Sequence, residues 1–300
     1  LTKSFAIRTE KRHILFRRSL VNLAWVVPSL ACLVYFICAP RYNEWLYQPF
    51  LFHPEKLEAS SAVPTIGNIK GENVHFYSTN GHVLNGWYFK NPSAKYTVLF
   101  NHGNGGNIAD QTDLVELIAK AGASVFIYDY EGFGASDGTP SIEGMCDDAV
   151  AAFNYLHMRC GLSKDSIVLY GQSLGAAVAA YLTTKFECRG VILQSGFSSL
   201  RQIACEDFPL LSLYPYWLFP QQSLNTASII SNPHPPLLLI HGQQDDVVRY
   251  THAISLFAAA IGEKQLVTLA TTGHEDIATT ASIPYTEALR HFLSSLDSAS

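Results

Sequence analysis

The chain carries two hydrophobic rhythms. Residues 73–89 (NVHFYSTNGHVLNGWYF) alternate on either side of Asn80-Gly81, which predicts a β-hairpin turning at that dipeptide. Short, nearly continuous apolar runs follow: TVLFNHG (97–103), SVFIYDY (124–130), SIVLYGQS (166–173), GVILQS (190–195), PLLLIHG (236–242) and QLVTLA (265–270). Segments long enough for helices lie between and after them, at 108–121, 142–160, 174–187, 250–261 and 283–296. Unbroken apolar strands alternating with helices predict an α/β fold with a mostly parallel sheet covered on both faces; the hairpin makes that sheet mixed.

Three stretches depart from this rhythm. Residues 20–39 (LVNLAWVVPSLACLVYFICA) contain no charge, and twenty residues of helix cover about 30 Å, the thickness of a bilayer core. This reads as a transmembrane anchor in preference to a buried core helix or a cleaved signal peptide, since Ile37-Cys38-Ala39 is a poor cleavage site. Residues 40–70, punctuated by Pro40, Pro49, Pro54 and Pro64, read as an irregular linker. Residues 197–235 are longer than a plain crossover and include FPLLSLYPYWLFP at 208–220. They read either as one long irregular helix or as a small lid over an apolar substrate pocket. The expected organisation is a basic N-terminus (1–19), an anchor (20–39), a linker (40–70) and one domain (71–300).

Charge refines the topology. Residues 1–19 carry a net charge of +5, so the remainder of a chain of net charge −5 carries −10. An acidic body argues against a nucleic-acid partner, which needs a basic face for phosphates. The basic stretch before the apolar run places the N-terminus in the cytoplasm and the domain across the membrane, periplasmic in a bacterium. Secretion after cleavage is the alternative. With 48% hydrophobic and 15% charged residues, the chain is not disordered.

The chemistry gathers where the apolar runs end. Gly171-Gln172-Ser173-Leu174-Gly175 matches G-x-S-x-G between a strand and a helix-like segment, the setting of a nucleophile elbow. Only small residues fit beside so tight a turn, hence Gly171 and Gly175. A serine hydroxyl needs a base, and His274 follows the last apolar run. The imidazole in turn needs a carboxylate, and Asp245 and Asp246 both follow PLLLIHG: one should face His274, the other solvent or the next helix. For an oxyanion hole, backbone N–H donors are expected from Leu174 and from Asn104 in the loop His102-Gly103-Asn104-Gly105-Gly106-Asn107. His102 and His241 are expected to hold loops by hydrogen bonds. Asp129 is expected to be structural, and His252 and His291 to lie on helix surfaces.

HGNGGN (102–107), DYEGFGASDGTPS (129–141), GQSLGA (171–176), HGQQDD (241–246) and GHED (273–276) together resemble the α/β-hydrolase superfamily over about residues 70–296. The branch most similar is the membrane-anchored, serine-aminopeptidase-like hydrolases. The resemblance implies an α/β-hydrolase fold, a Ser173–Asp245–His274 triad and an oxyanion hole from Asn104 and Leu174. Its HG-x-x-D pattern selects Asp245 over Asp246. Gly105 stands where relatives often have Ala. Family members that act as acyl-protein thioesterases attach through Cys-rich tails; the apolar segment here differs, so that substrate class does not carry over.

No cofactor is indicated. H-E-x-x-H and paired C-x-x-C are absent, and Gly132-Phe133-Gly134 lacks the third glycine of a dinucleotide fingerprint. Cys146, Cys160, Cys188 and Cys205 show no framework spacing and are expected as buried thiols. The expected activity is a serine hydrolase acting on a small or lipid-like acyl ester, with thioesters, amides and peptides as further acyl classes. A non-catalytic binding or scaffold protein of the same fold, or an acyltransferase using the same triad, are the rival readings.

Overall fold

A computed structural model describes residues 24–58, 62–220 and 224–297. They fall into two units: the described residues before Gln48 together with 214–220, and a larger unit holding the rest.

The main sheet lies in the larger unit and has nine strands among the described residues. These are β1 (Thr65–Ile66), β2 (Ile69–Tyr77), β3 (Val83–Phe89), β4 (Thr97–Asn101), β5 (Ser124–Tyr128), β6 (Ile167–Gln172), β7 (Gly190–Gln194), β8 (Leu237–Gly242) and β9 (Lys264–Leu269). Their spatial order is β9-β8-β7-β6-β4-β5-β3-β2-β1. Strands β4 to β9 are parallel, while β1, β2 and β3 join antiparallel beside β5. The mixed, mostly parallel sheet is the one the apolar runs predict.

Burial follows the same logic. Every residue of β4, β5, β6, β7 and β8 is buried, because helices cover both faces. On one face Val98, Phe100, Ile127 and Tyr170 pack with Val115 and Ile118 of α1 (Thr112–Lys120) and Leu289 and Phe292 of α7 (Ser282–Ser295). On the other lie α2 (Ile142–Asn154) and α3 (Leu174–Thr183), which pack against each other. Small residues in α3 (LGAAVAAYLT) let it close on the sheet, with all but Tyr181 and Thr183 buried. The remaining helices used below are α4 (Leu200–Asp207), α5 (Thr226–Ile230) and α6 (Thr251–Ala259).

Local details depart from the pattern. The hairpin between β2 and β3 turns through a five-residue loop, not a two-residue one. Ser78 N–H donates to His82 O (2.9 Å), Tyr77 pairs Val83, and Gly81 takes φ +91°. The 142–160 segment is α-helical only to Asn154 and widens into a π turn at Tyr155–Arg159. The 197–235 stretch is not one long helix. It breaks into α4, 3-10 turns at Pro209–Leu213 and Tyr216–Leu218, and α5, as expected where prolines remove backbone donors. Within the 40–70 stretch, Thr65–Ile66 extends the main sheet, and His53–Pro54 pairs in parallel with Gly105–Gly106.

In the smaller unit residues 24–37 are helical. Tyr35 stacks on Tyr214 (centroids 4.6 Å apart), and Arg41 donates to Trp217 O (3.0 Å). Residues 1–19, and 20–23 of the expected anchor, lie outside the described residues. Among those described, no helix is long and apolar enough to cross a membrane. All six cysteines are free; Cys146 is buried, Cys160, Cys188 and Cys205 are half-buried, and Cys32 and Cys38 are exposed. The expectation of buried thiols holds only for Cys146.

Candidate active site

Strand β6 ends at Gln172, and α3 begins at Leu174, leaving one residue for the turn. That residue, Ser173, takes φ 54° and ψ −119°. For a non-glycine residue this is a strained backbone, of the kind held in place at functional sites by its surroundings. Here Ser173 N–H donates to Gln194 O (2.9 Å) across the sheet. The two flanking glycines follow from contact distances. A Cβ at Gly171 would run into the Gly175 carbonyl, and a Cβ at Gly175 into the carbonyls of Asn101 and His102.

Ser173 O–H points to His274 Nε2 (3.0 Å), and His274 Nδ1–H donates to Asp245 Oδ2 (2.8 Å). Residues 101 positions apart in the chain meet because β6 and β9 end at the same edge of the parallel sheet. Asp245 is buried and Asp246 exposed. The other Asp245 oxygen, Oδ1, accepts from the N–H groups of Val247 (3.1 Å) and Val248 (2.7 Å). Burial pushes this carboxyl up, but hydrogen bonds from His241 and His274, with the Val248 N–H, outweigh it and hold it well below the usual carboxylate range. The carboxylate therefore stays charged beside His274.

The loop after β4 packs directly on the serine: a Cβ at Gly103 would lie in ordinary contact, 3.6 Å from Ser173 Cβ. Its shape is fixed from several sides. His102 Nδ1–H donates to Gly103 O (2.8 Å), Asn104 Nδ2 donates to Leu51 O (2.7 Å), and His53 N–H donates to Asn104 O (2.8 Å). Burial drives His102 down to about 4, so it is neutral at pH 7. Among the described residues, no hydrogen bond engages the backbone N–H of Asn104 or of Leu174. The Leu174 donor also stands at the N-terminus of α3, where partial positive charge favours an anion.

Further side chains shape the surroundings of the site. His241 does hold its loop, donating from Nε2 to Val248 O (2.7 Å), but the same nitrogen is 3.3 Å from Asp245 Oδ2. Its four-residue spacing to Asp245 was the available signal. Asp276 Oδ1 accepts from Gly273 N–H (2.7 Å) and shapes the turn before His274. Asp129 is structural as expected, accepting from Ile108 N–H (2.9 Å). His291 is exposed, but His252 is fully buried, contrary to a surface position; its partners lie on α4 and the preceding loop. Among the described residues, no group of three or more His, Cys, Asp or Glu side chains is arranged to hold a metal ion.

Residues 96–218 match the family model described as alpha/beta hydrolase fold. The human alpha/beta hydrolase domain-containing protein 17B is 31% identical over 204 residues, covering 68% of this chain and 68% of that protein. The chain belongs to the α/β-hydrolase family. The mouse alpha/beta hydrolase domain-containing protein 17C is 33% identical over 68% of this α/β hydrolase, and the match spans 61% of that relative's length. Among solved structures, the Pyrococcus furiosus esterase Pf2001 superposes with a TM-score of 0.68 at 19% identity, over 82% of this chain and 98% of that one. The α/β hydrolase GrgF from Penicillium sp. sh18 gives 0.63 at 16% identity, over 76% and 99%. At these identities the two structures speak for the fold alone.

Proposed function

We propose that this α/β hydrolase is a serine hydrolase that cleaves acyl esters through a covalent acyl-enzyme on Ser173. The observation that carries the reading is the unbroken hydrogen-bonded line Ser173–His274–Asp245 at the carboxyl edge of the sheet. Ser173 Oγ attacks the acyl carbonyl carbon while its proton passes to His274 Nε2. The oxyanion is met by the N–H groups of Leu174 and Asn104. As the carbon–oxygen bond breaks, His274 returns the proton to the leaving alcohol. A water molecule then repeats the sequence on the acyl-enzyme, with His274 again as base, and releases the acid. The ionised Asp245 holds the Nδ1–H tautomer and stabilises the imidazolium.

The substrate we favour is an ester with an apolar acyl group. The exposed Phe208, Leu210 and Leu213 support it, and the Pyrococcus protein with the same fold is named an esterase. We also propose that the uncharged run at 20–39 anchors the chain in a membrane, N-terminus in the cytoplasm. Its support is the sequence: twenty uncharged residues preceded by a net charge of +5.

A fluorophosphonate probe tests the chemistry. Wild-type protein should be labelled on Ser173, and Ser173→Ala should not. Labelling that is absent from the folded wild type, or equal in both, refutes the reading. A reporter fused to the C-terminus tests the topology, and activity inside the cytoplasm overturns it.

A further inference from the structure

His252, the second residue of α6, has no access to water, so both ring nitrogens must find partners inside the protein. Nδ1 accepts from Ser198 N–H (3.2 Å) and lies 2.8 Å from Ser198 Oγ. Nε2–H is directed at Glu206 Oε2 (3.3 Å), and Arg249 stands 4.0 Å from the same oxygen. A second line runs along α4. Ser198 Oγ donates to Gln202 Oε1 (2.8 Å), and Gln202 Nε2 donates to Glu206 Oε1 (3.2 Å). Gln202 and Glu206, four residues apart, lie on one face of α4, and Ser198 stands just before its N-cap Ser199.

The two sides of this cluster have different neighbours. Arg249 lies in the β8–α6 connection in which Val248 N–H donates to Asp245, and His252 follows it in α6. On the other side, α4 runs straight into Phe208–Leu213, where Phe208 is 50%, Leu210 79% and Leu213 68% exposed. Neither the triad nor the oxyanion loop uses this polar cluster, in which Ser198 and His252 are buried, Glu206 is half-buried, and Gln202 and Arg249 are exposed.

We propose that Ser198, His252 and Glu206 form a clasp that positions the Phe208–Leu213 segment against a long apolar acyl chain and so sets chain-length selectivity. The proposal rests on the serine-hydrolase reading for its substrate. Burying each added methylene is favourable, so a segment held in register rewards each added carbon, while an acetyl group is too short to engage it. The three are positioning residues: they touch no reacting atom and act through α4.

The test compares wild type, Glu206→Ala and Glu206→Gln on p-nitrophenyl esters from acetate to decanoate. In Glu206→Ala, KM for octanoate and decanoate should rise about tenfold, the effect of losing one charge-assisted hydrogen bond. The kcat on acetate should be unchanged, and Glu206→Gln, which keeps a carbonyl acceptor for His252, should restore most of the loss. Amide hydrogen exchange of the folded chains is read alongside: Glu206→Ala should speed exchange in both 200–213 and 246–252. A chain-length profile identical to wild type overturns the proposal, as does unchanged exchange in those segments. A folded wild type that cleaves none of the esters counts against the hydrolase reading, and exchange then still decides whether the clasp holds α4.

Discussion

His241 and His274 share one oxygen of Asp245: Nδ1 of His274 lies 2.8 Å from Oδ2, and Nε2 of His241 lies 3.3 Å from it. The carboxylate beside His274 is thus held by a second imidazole, which stands outside the Ser173–His274 line. Burial raises the Asp245 carboxyl, and the His241 hydrogen bond is the largest influence opposing it. In His241→Ala the carboxyl takes up a proton at higher pH than in wild type. Because a lowered carboxyl contributes as the charged form, activity is present above its titration and lost as pH falls through it. The titration of the Asp245 carboxyl, followed by NMR, should therefore move to higher pH, and an unchanged titration would rule this coupling out.

The glycines of the site should separate by contact distance. Gly171→Ala and Gly175→Ala place a methyl group into backbone carbonyls, which cannot yield as a side chain can. Each should cost about 1–3 kcal/mol or more, read as a fall in thermal midpoint, and should abolish probe labelling. Gly103→Ala meets Ser173 Cβ at 3.6 Å and should fold with a near-normal midpoint. Equal destabilisation at all three positions would contradict this geometry.

Asn104 is expected to offer a backbone donor to the oxyanion, and its side chain ties the loop to Leu51 O (2.7 Å). Asn104→Ala keeps the N–H but releases the tie. The kcat should fall about tenfold, less than the 10²–10³ typical for losing a donor outright, with KM little altered. Steady-state kinetics on a short ester decide it. An unchanged kcat would mean that the Leu51 contact plays no part in holding the loop.

Asp148 offers a stability test remote from the chemistry. Burial, together with the neighbouring Glu131, raises its carboxyl from 3.8 to about 8. The folded chain retains a proton that the unfolded chain has lost, so this stabilisation is complete below pH 3.8 and drains away as pH rises to about 8. Asp148→Asn, which can still accept from Glu131 N–H, should flatten the decline of denaturant stability across that window. A slope as steep as wild type would show that Asp148 is not the group responsible.

Much of the fold was legible because it rests on local regularities. A strand buried on both faces has to be apolar throughout, as TVLFN and IVLYGQ are, and Ser173 sits in a turn whose glycines are required by hard contacts. Asp245 and His274 could be placed after the ends of strands β8 and β9. The failures have equally physical causes. His252 looked like a surface residue because helical spacing does not reveal which face a neighbouring insertion covers. The 40–70 stretch looked irregular because a two-residue bridge such as His53–Pro54 with Gly105–Gly106 has no periodicity to detect.

The chain alone, then, determined most of the strands and helices, where the strained serine falls, and the order in which Ser173, Asp245 and His274 occur. Periodicity, turn chemistry and residue size act over a few neighbours, so they can be read from the chain. Tertiary structure decided which of two adjacent aspartates faces inward, that His241 supports it, and that residues 51–55 brace the loop after β4. Those relationships join residues far apart in the chain, and only the parallel sheet, by bringing its carboxyl ends to one edge, sets their distances.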